Sequence, residues 1–120
     1  GKAFNEFIRL RDQGKQCISC DKVLHPGQKY DAGHLWPKGH YDGIRFDEDN
    51  VHGQCVECNR DKHGNVAEYL LRLPGRIGKQ AAKALSERRL QVNKLTKAEA
   101  WELLKKYQKK ARDAKKEKNL

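Results

Sequence analysis

The sequence has no long apolar run and no methionine, and only 37% of its 120 residues are hydrophobic. A membrane-spanning helix needs roughly 18 consecutive apolar residues, so we expect this part of the protein to be soluble. A small apolar fraction excludes a large core, and a domain with a modest core often depends on a disulfide or a metal ion. Because the chain starts at Gly1 and contains no methionine, we expect it to be a piece of a longer protein.

Acidic residues are scarce in the C-terminal third. Residues 79–120 hold 14 lysines and arginines against 5 acidic residues, which accounts for +9 of the formal net charge of +10. Residues 1–78 hold 12 basic and 11 acidic residues and are nearly neutral. We therefore divide the chain into two parts. Residues 1–78 form a domain that would carry the functional site, and residues 79–120 form a basic helical extension that would attract a polyanion. A solvated lysine-rich helix is the alternative.

Apolar periodicity predicts helices at both ends of the chain and turns between them. Residues 4, 7, 8 and 11 have helical spacing, which predicts a helix that ends near Gly14. Glycines and two prolines between residues 17 and 59 indicate turns and hairpins, with a short extended run at residues 29–32. Further helices are predicted from Val66, ending at Pro74-Gly75, and over about residues 77–90.

A last helix begins with a capping box formed by Thr96 and Glu99. We expect its apolar stripe to be buried against the domain or against a second copy. The stripe contains Ala98, Trp101, Leu104, Tyr107 (or Gln108), Ala111 and Ala114.

The chain has four cysteines, arranged as two C-x-x-C pairs, Cys17 with Cys20 and Cys55 with Cys58. This is metal-ligand spacing, and no apolar signal segment precedes the pairs, so we favour reduced thiolates on zinc over disulfides or redox motifs. Four thiolates close a tetrahedral site, which leaves no open position for a substrate. The zinc is therefore expected to be structural and to clamp a β-hairpin between two knuckles.

Three motifs lie between or directly after the cysteine pairs: D-A-G-H-L-W-P at residues 31–37, R-F-D-E-D-N at 45–50, and C-N-R-D-K-H-G-N at 58–65. Together they resemble the HNH, or His-Me finger, nucleases, and most closely the lambdoid phage NinG (Rap) recombination-nuclease family. T4 endonuclease VII type resolvases are more distantly similar. The resemblance implies a small zinc-stapled ββα core. Together with the predicted N-terminal helix and C-terminal basic helices, this gives an α+β fold.

His34 is the candidate general base. It ends an apparent strand with an acidic residue close behind, and a histidine with an ordinary pKa near 6.5 suits proton abstraction at neutral pH. The other histidines between the knuckles, His25, His40 and His52, are interpreted as surface or packing residues.

Asp31 and Asn59 offer the oxygen ligands that Mg²⁺ or Mn²⁺ prefers. In many HNH sequences the metal-binding acid directly precedes the catalytic histidine, but here that position is Gly33, so Asp31 would have to reach from two residues further back. His63 is a rival to Asn59, because four residues separate positions on one helical face. Asn50 resembles the central asparagine that holds the loop and so orients the histidine.

We expect a basic surface that contacts the DNA backbone and positions it without reading base sequence. By resemblance, the substrates are branched recombination intermediates such as Holliday junctions and D-loops in the cytoplasm of the bacterial host, and a homodimer would suit two symmetric cuts. No membrane partner is expected. The candidate DNA-binding residues are Lys38, Arg45, Arg60, Lys62, Lys105, Lys106, Lys109 and Lys110.

Two other functions fit the same composition. A non-catalytic zinc module could bind nucleic acid through the basic extension, with His34 and Asp31 as ordinary loop residues. A sequence-specific HNH endonuclease would share the motif but cut linear duplex at defined sites. Only the joint spacing of His34, Asn50 and Asn59 favours an enzyme over a binding module.

Overall fold

The computed structural model describes residues 1–92 and 94–118, and over these ranges the fold is α+β with a single two-stranded sheet. A 3₁₀ turn (Asp42–Ile44) lies between the strands and a π-helical turn (Glu57–Asp61) follows them. The regular elements are α1 (Lys2–Asp12), β1 (Tyr30–His34), β2 (Val51–Cys55), α2 (Val66–Ile77), α3 (Lys79–Arg88) and α4 (Lys97–Lys118).

The two strands form the hairpin predicted between the cysteine pairs. They are antiparallel, with Tyr30 opposite Cys55 and His34 opposite Val51. Because side chains alternate along a strand, each face of the hairpin receives a fixed set of residues. One face, here the α1 face, carries Tyr30, Ala32, His34, Val51, Gly53 and Cys55; the other, the α2 face, carries Asp31, Gly33, His52 and Gln54.

The α1 face packs against the N-terminal helix. Phe4 and Ile8 of α1 are buried in one cluster with Val51. The fully buried carboxylate of Asp12 accepts the Gly53 N–H at 2.7 Å and is paired with Arg11. These contacts fix α1 across the hairpin, on the side where His34 lies.

Helix α2 runs past Pro74-Gly75, where we predicted its end. It continues to Ile77 and stops at Gly78, whose φ of 93° favours glycine. Proline removes one backbone donor, but the buried Leu73 and the partly buried Ile77 pack into the same core cluster and keep this turn helical. The prediction was wrong because tertiary packing outweighed the local helix breaker.

The predicted capping box of α4 is confirmed. The Glu99 N–H donates to the Thr96 hydroxyl and the Thr96 N–H donates to the Glu99 carboxylate, both at 3.1 Å. α4 lies along α1, and the ring of Tyr107 contacts that of Phe4 edge-on, with centroids 4.7 Å apart.

The predicted apolar stripe of α4 is only partly buried. Tyr107 and Ala111 are buried, whereas Trp101 is 57% exposed and Leu104 is 40% exposed. The contact with α1 follows residues 103, 107 and 111, and Trp101 lies about 120° around the helix axis from Tyr107.

Of the helices in the described ranges, none combines the length and the apolar content that crossing a membrane would require.

Candidate functional site

The four cysteines come together as predicted. Cys17 and Cys20 lie on the first knuckle, Cys55 ends β2, and Cys58 lies in the helical turn that follows. Their sulfur atoms are all within 4.8 Å of one another, and none is in a disulfide. The Sγ atoms of Cys20 and Cys55 are 3.8 Å apart, which is about the edge of a tetrahedron with Zn–S bonds of about 2.3 Å. This cluster could hold one zinc ion.

Backbone amides donate hydrogen bonds to two of the sulfur atoms, Cys17 Sγ and Cys55 Sγ. The N–H groups of Ser19 and Cys55 point at Cys17 Sγ, at 3.4 and 3.3 Å, and the N–H of Cys58 points at Cys55 Sγ at 3.4 Å. Each N–H stabilises negative charge on sulfur. With four protein ligands the site would be closed, so its chemistry is structural.

His34 lies half-buried at the end of β1, with Nε2 2.9 Å from the Arg45 carbonyl oxygen. A carbonyl only accepts, so Nε2 carries a proton, and in the neutral ring Nδ1 keeps its lone pair. Burial lowers the pKa of His34 below its usual value, and the nearby charges of Lys38 and Arg45 lower it further. The imidazole is therefore neutral at physiological pH. A basic groove surrounds it, lined by Gly1, Lys2, Asn5, Lys38, Arg45 and Phe46.

Asn50 is fully buried and holds the loop between the strands. Its Oδ1 accepts the Trp36 N–H at 2.9 Å, and its Nδ2 donates to the carbonyls of Trp36 and Ile44. The loop that carries Arg45 is thereby fixed relative to His34.

Asp31 and Asn59 are also brought together, but on the opposite face of the hairpin from His34. Asn59 Nδ2 donates to Asp31 Oδ2 at 2.9 Å, and the Arg60 guanidinium binds both carboxylate oxygens at 3.1 and 2.9 Å. His63 is exposed beyond the end of the Asn59 turn, with a left-handed φ of 51°, so the two do not share a regular helical face.

These residues match a hard divalent cation in donor type but not in arrangement. Arg60 already neutralises Asp31, and Asn59 turns its donor rather than its oxygen toward the carboxylate. Across residues 1–92 and 94–118, the only group of three or more cysteine, histidine and acidic ligands that could hold a metal is the cysteine cluster.

The candidate DNA-binding residues lie in separate places. Lys38 and Arg45 border the His34 groove, Arg60 pairs with Asp31, and Lys62 lies 3.5 Å from Glu57. Lys105, Lys106, Lys109 and Lys110 lie on α4, where Lys110 turns inward and pairs with Glu48 at 2.6 Å.

Tyr69 was missed by sequence reasoning. It is fully buried and its hydroxyl donates to the Gly33 carbonyl at 2.8 Å. Nδ1 of His52 lies 3.2 Å from the Tyr69 hydroxyl oxygen. Tyr69 thus fixes the peptide directly before His34. A tyrosine in the middle of an apolar helical stripe was the available signal, because a buried hydroxyl needs a polar partner.

Comparison with known proteins gives a consistent result. Residues 1–117 match the protein family described as Bacteriophage Lambda NinG protein. Protein ninG of Escherichia phage 933W is 38% identical over 112 residues, which cover 93% of this chain and 54% of that protein. Protein ninG of Escherichia phage lambda is 42% identical over 80 residues, which cover 67% of this chain and 38% of that protein.

A further relative, Protein ninG of Salmonella phage P22, is 44% identical over 77 residues, covering 64% of this chain and 37% of that protein. The chain thus spans about half or less of the length of these relatives. No solved structure matches the chain.

Proposed function

We propose a nuclease function from one premise: the chain belongs to the NinG family of lambdoid phage proteins. Its motifs resemble those of the HNH, or His-Me finger, nucleases and, more distantly, of T4 endonuclease VII type resolvases. The proposed activity is that of a metal-dependent, structure-selective DNA endonuclease on branched recombination intermediates such as Holliday junctions and D-loops. The hairpin and the helical segment after it would form the ββα unit.

The observation that carries the proposal is the state and setting of His34. A neutral imidazole with a free Nδ1 can take a proton from water, and the resulting hydroxide can attack a phosphodiester phosphorus. One P–O ester bond then breaks, and the leaving oxygen takes a proton from solvent. Lys38 and Arg45, at the rim of the same groove, would hold the negatively charged phosphate.

The requirement for Mg²⁺ or Mn²⁺ rests on the resemblance. Asp31 and Asn59 are the proposed ligands, yet they lie on the other face of the hairpin from His34, and Asp31 is paired with Arg60. Substitution separates the possibilities. If Asn59→Ala keeps full cation-dependent cleavage, Asn59 is not a ligand; His63→Ala tests its rival in the same way.

The same arrangement favours a second candidate, the non-catalytic zinc module that binds nucleic acid. Asp31, the acidic residue of the hairpin strands, is neutralised by Arg60 and is therefore not available to a divalent cation. Binding of nucleic acid through the basic helices requires no such cation.

A cleavage assay decides between these candidates. The zinc-loaded chain is incubated with a labelled four-way junction, with Mg²⁺, with Mn²⁺, or with no added divalent cation, since a chelator would also remove the zinc. We expect cation-dependent nicking that His34→Ala lowers by about 10²–10⁴-fold. The matched control, His25→Ala, changes an exposed histidine in a turn and should cut normally.

Three outcomes count against parts of the proposal. A wild-type chain that binds the junction but never nicks it is a binding module. Normal cleavage by His34→Ala means that another group is the base. Cleavage that follows base sequence on linear duplex indicates a sequence-specific endonuclease.

A further inference from the structure

The solvent side of α4 carries one aromatic residue among cations. At 100° per residue, five side chains fall within about 80° around the helix axis and extend along it for about 22 Å. We call this surface the α4 strip; it contains Trp101, Lys105, Lys109, Arg112 and Lys116. All five are exposed. The strip faces away from Tyr107, so it lies apart from the packing of α4 on α1.

Only some of the cations on the strip form ion pairs. Lys109 pairs with Asp113 at 2.9 Å, and Lys105 lies 3.9 Å from Glu102. Arg112 and Lys116 have no ion-pair partner within residues 1–92 and 94–118. The Lys105 ammonium also lies 5.5 Å from the centre of the Trp101 ring, which places a cation beside the exposed indole.

The Trp101 indole is 57% exposed, so more than half of its surface lies in water rather than in the core. Stacking against another flat ring would remove this apolar surface from water, which is favourable. Nucleic acid bases are such rings, and the phosphates between them are the anions that the neighbouring cations attract. In a duplex the base faces are covered by stacking, so only an unpaired strand offers exposed base faces together with backbone phosphates. We infer that the α4 strip binds single-stranded DNA, with Trp101 stacked on an unpaired base and the cations along the backbone.

A lipid surface and a second copy of the chain fit the strip less well. A membrane-bound amphipathic helix inserts its apolar stripe, but Tyr107 and Ala111 of α4 are already buried against the protein. A second copy would bring two cationic strips together, which like-charge repulsion opposes.

The inference rests on the proposed function only in the choice of DNA over RNA. The strip belongs to α4, whereas His34 ends β1, and binding requires neither cleavage nor a divalent cation. A chain that binds a single strand and never cuts would satisfy it.

The test is a titration of the zinc-loaded chain, without added divalent cation, into fluorescein-labelled oligothymidylate or a blunt duplex of equal length, followed by anisotropy at several salt concentrations. We expect the wild type to bind the single strand more tightly. Trp101→Ala should weaken that binding about tenfold, with no change in its salt dependence, because stacking carries no charge. Trp101→Phe should restore most of the loss.

Arg112→Gln should have the complementary effect. One lost phosphate contact lowers the magnitude of the log–log salt slope for a single strand by about 0.7. The matched control is Leu71→Ala, which removes a 74% exposed apolar side chain on α2 and should leave binding unchanged. Circular dichroism checks that each variant keeps its helices.

The proposal fails if Trp101→Ala binds oligothymidylate like the wild type, or if duplex binds as tightly with the same dependence on Trp101. It also fails if vesicles containing anionic phosphatidylglycerol compete through Trp101, which would make the strip a lipid-binding surface. Absence of nicking in the cleavage assay would leave the binding result standing, so the two proposals fail separately.

Discussion

Gly33 directly precedes His34, and the Gln54 side chain on the paired strand leaves no room for a side chain at that position. The Gln54 side chain crosses over Gly33 and donates from Nε2 to the Ser19 hydroxyl and the Gly64 carbonyl. A Cβ at position 33 would lie 2.0 Å from Gln54 Oε1. In this chain, a side chain at position 33 and the Gln54 bridge to the first knuckle therefore exclude each other.

Gly33→Ala should lower the free energy of unfolding by about 1–3 kcal/mol, because the new methyl group overlaps a buried side chain that is held by two hydrogen bonds. Urea unfolding of the zinc-loaded chain measures it. Gly75→Ala, in α2 with open space around it, is the control and should stabilise by about 0.5–1 kcal/mol. In a Gln54→Ala background the Gly33→Ala penalty should largely disappear; a full penalty there would rule out the clash.

If His34 is the general base of the proposed cleavage, its lowered pKa sets the direction of the pH dependence. A general base works when neutral, so the rate should rise with pH through the His34 pKa, below 6.5, and be level above about pH 7. Single-turnover rates from pH 5 to 8.5, with zinc content checked at each pH, measure it. Lys38→Gln removes a charge that lowers the His34 pKa. In this variant the rise of the cleavage rate with pH should therefore occur at higher pH. A rate that still climbs above pH 8 would exclude His34 as the titrating base.

The helices show which local signals the sequence carries and which it lacks. The Thr96–Glu99 capping box was predictable because both of its hydrogen bonds lie within one turn. The passage of α2 through Pro74 was not, since it depends on Leu73 and Ile77 packing into a core that only the tertiary structure assembles. Trp101 shows the same limit: periodicity identified an apolar stripe, but not which part of it α1 covers.

The two aromatic residues of α4 lie on different sides of that helix, so their removal should have different effects. Tyr107→Ala empties a buried site between Phe4 and Phe7 and breaks the hydroxyl contact with Glu48, and should cost about 3–5 kcal/mol. Trp101→Ala should change the free energy of unfolding by less than about 0.5 kcal/mol. Urea unfolding of both variants measures these values. Equal losses would contradict the packing of α4 on α1.

For the whole molecule, we expect one zinc ion per chain and loss of the fold when it is removed. Closed four-thiolate sites in small zinc domains contribute about 10–16 kcal/mol of apparent stability, more than a core of this size supplies. Metal analysis and far-ultraviolet circular dichroism before and after chelation measure both. Cys20→Ser should behave like the chelated chain and Val23→Ser, at an exposed neighbour, like the wild type. A chain that keeps its spectrum and its cooperative unfolding without zinc would show that the cluster is dispensable.

The candidate site was predictable where spacing alone determines proximity. Two C-x-x-C pairs lead to a four-sulfur cluster because tetrahedral coordination leaves few alternatives. The opposite orientation of Asp31 and His34 also follows from spacing, because residues three apart in a strand lie on opposite faces. The ion pair between Asp31 and Arg60 does not, since no motif specifies the path of the turn that carries Arg60. The cysteine cluster was therefore predictable from the sequence, whereas the neutralisation of Asp31 by Arg60 was not.

The packing of α4 on α1 has a consequence for the order of events during synthesis. The apolar side of α1, with Phe4 and Phe7, is completed by Tyr107, about a hundred residues later in the chain. At ribosomal speeds of roughly 5–20 residues per second, that side waits about 5–20 s for its cover. The hairpin and the zinc cluster can form during this interval, whereas α1 stays partly uncovered. A nascent chain stalled before residue 107 should therefore be the form most exposed to chaperone binding and to aggregation.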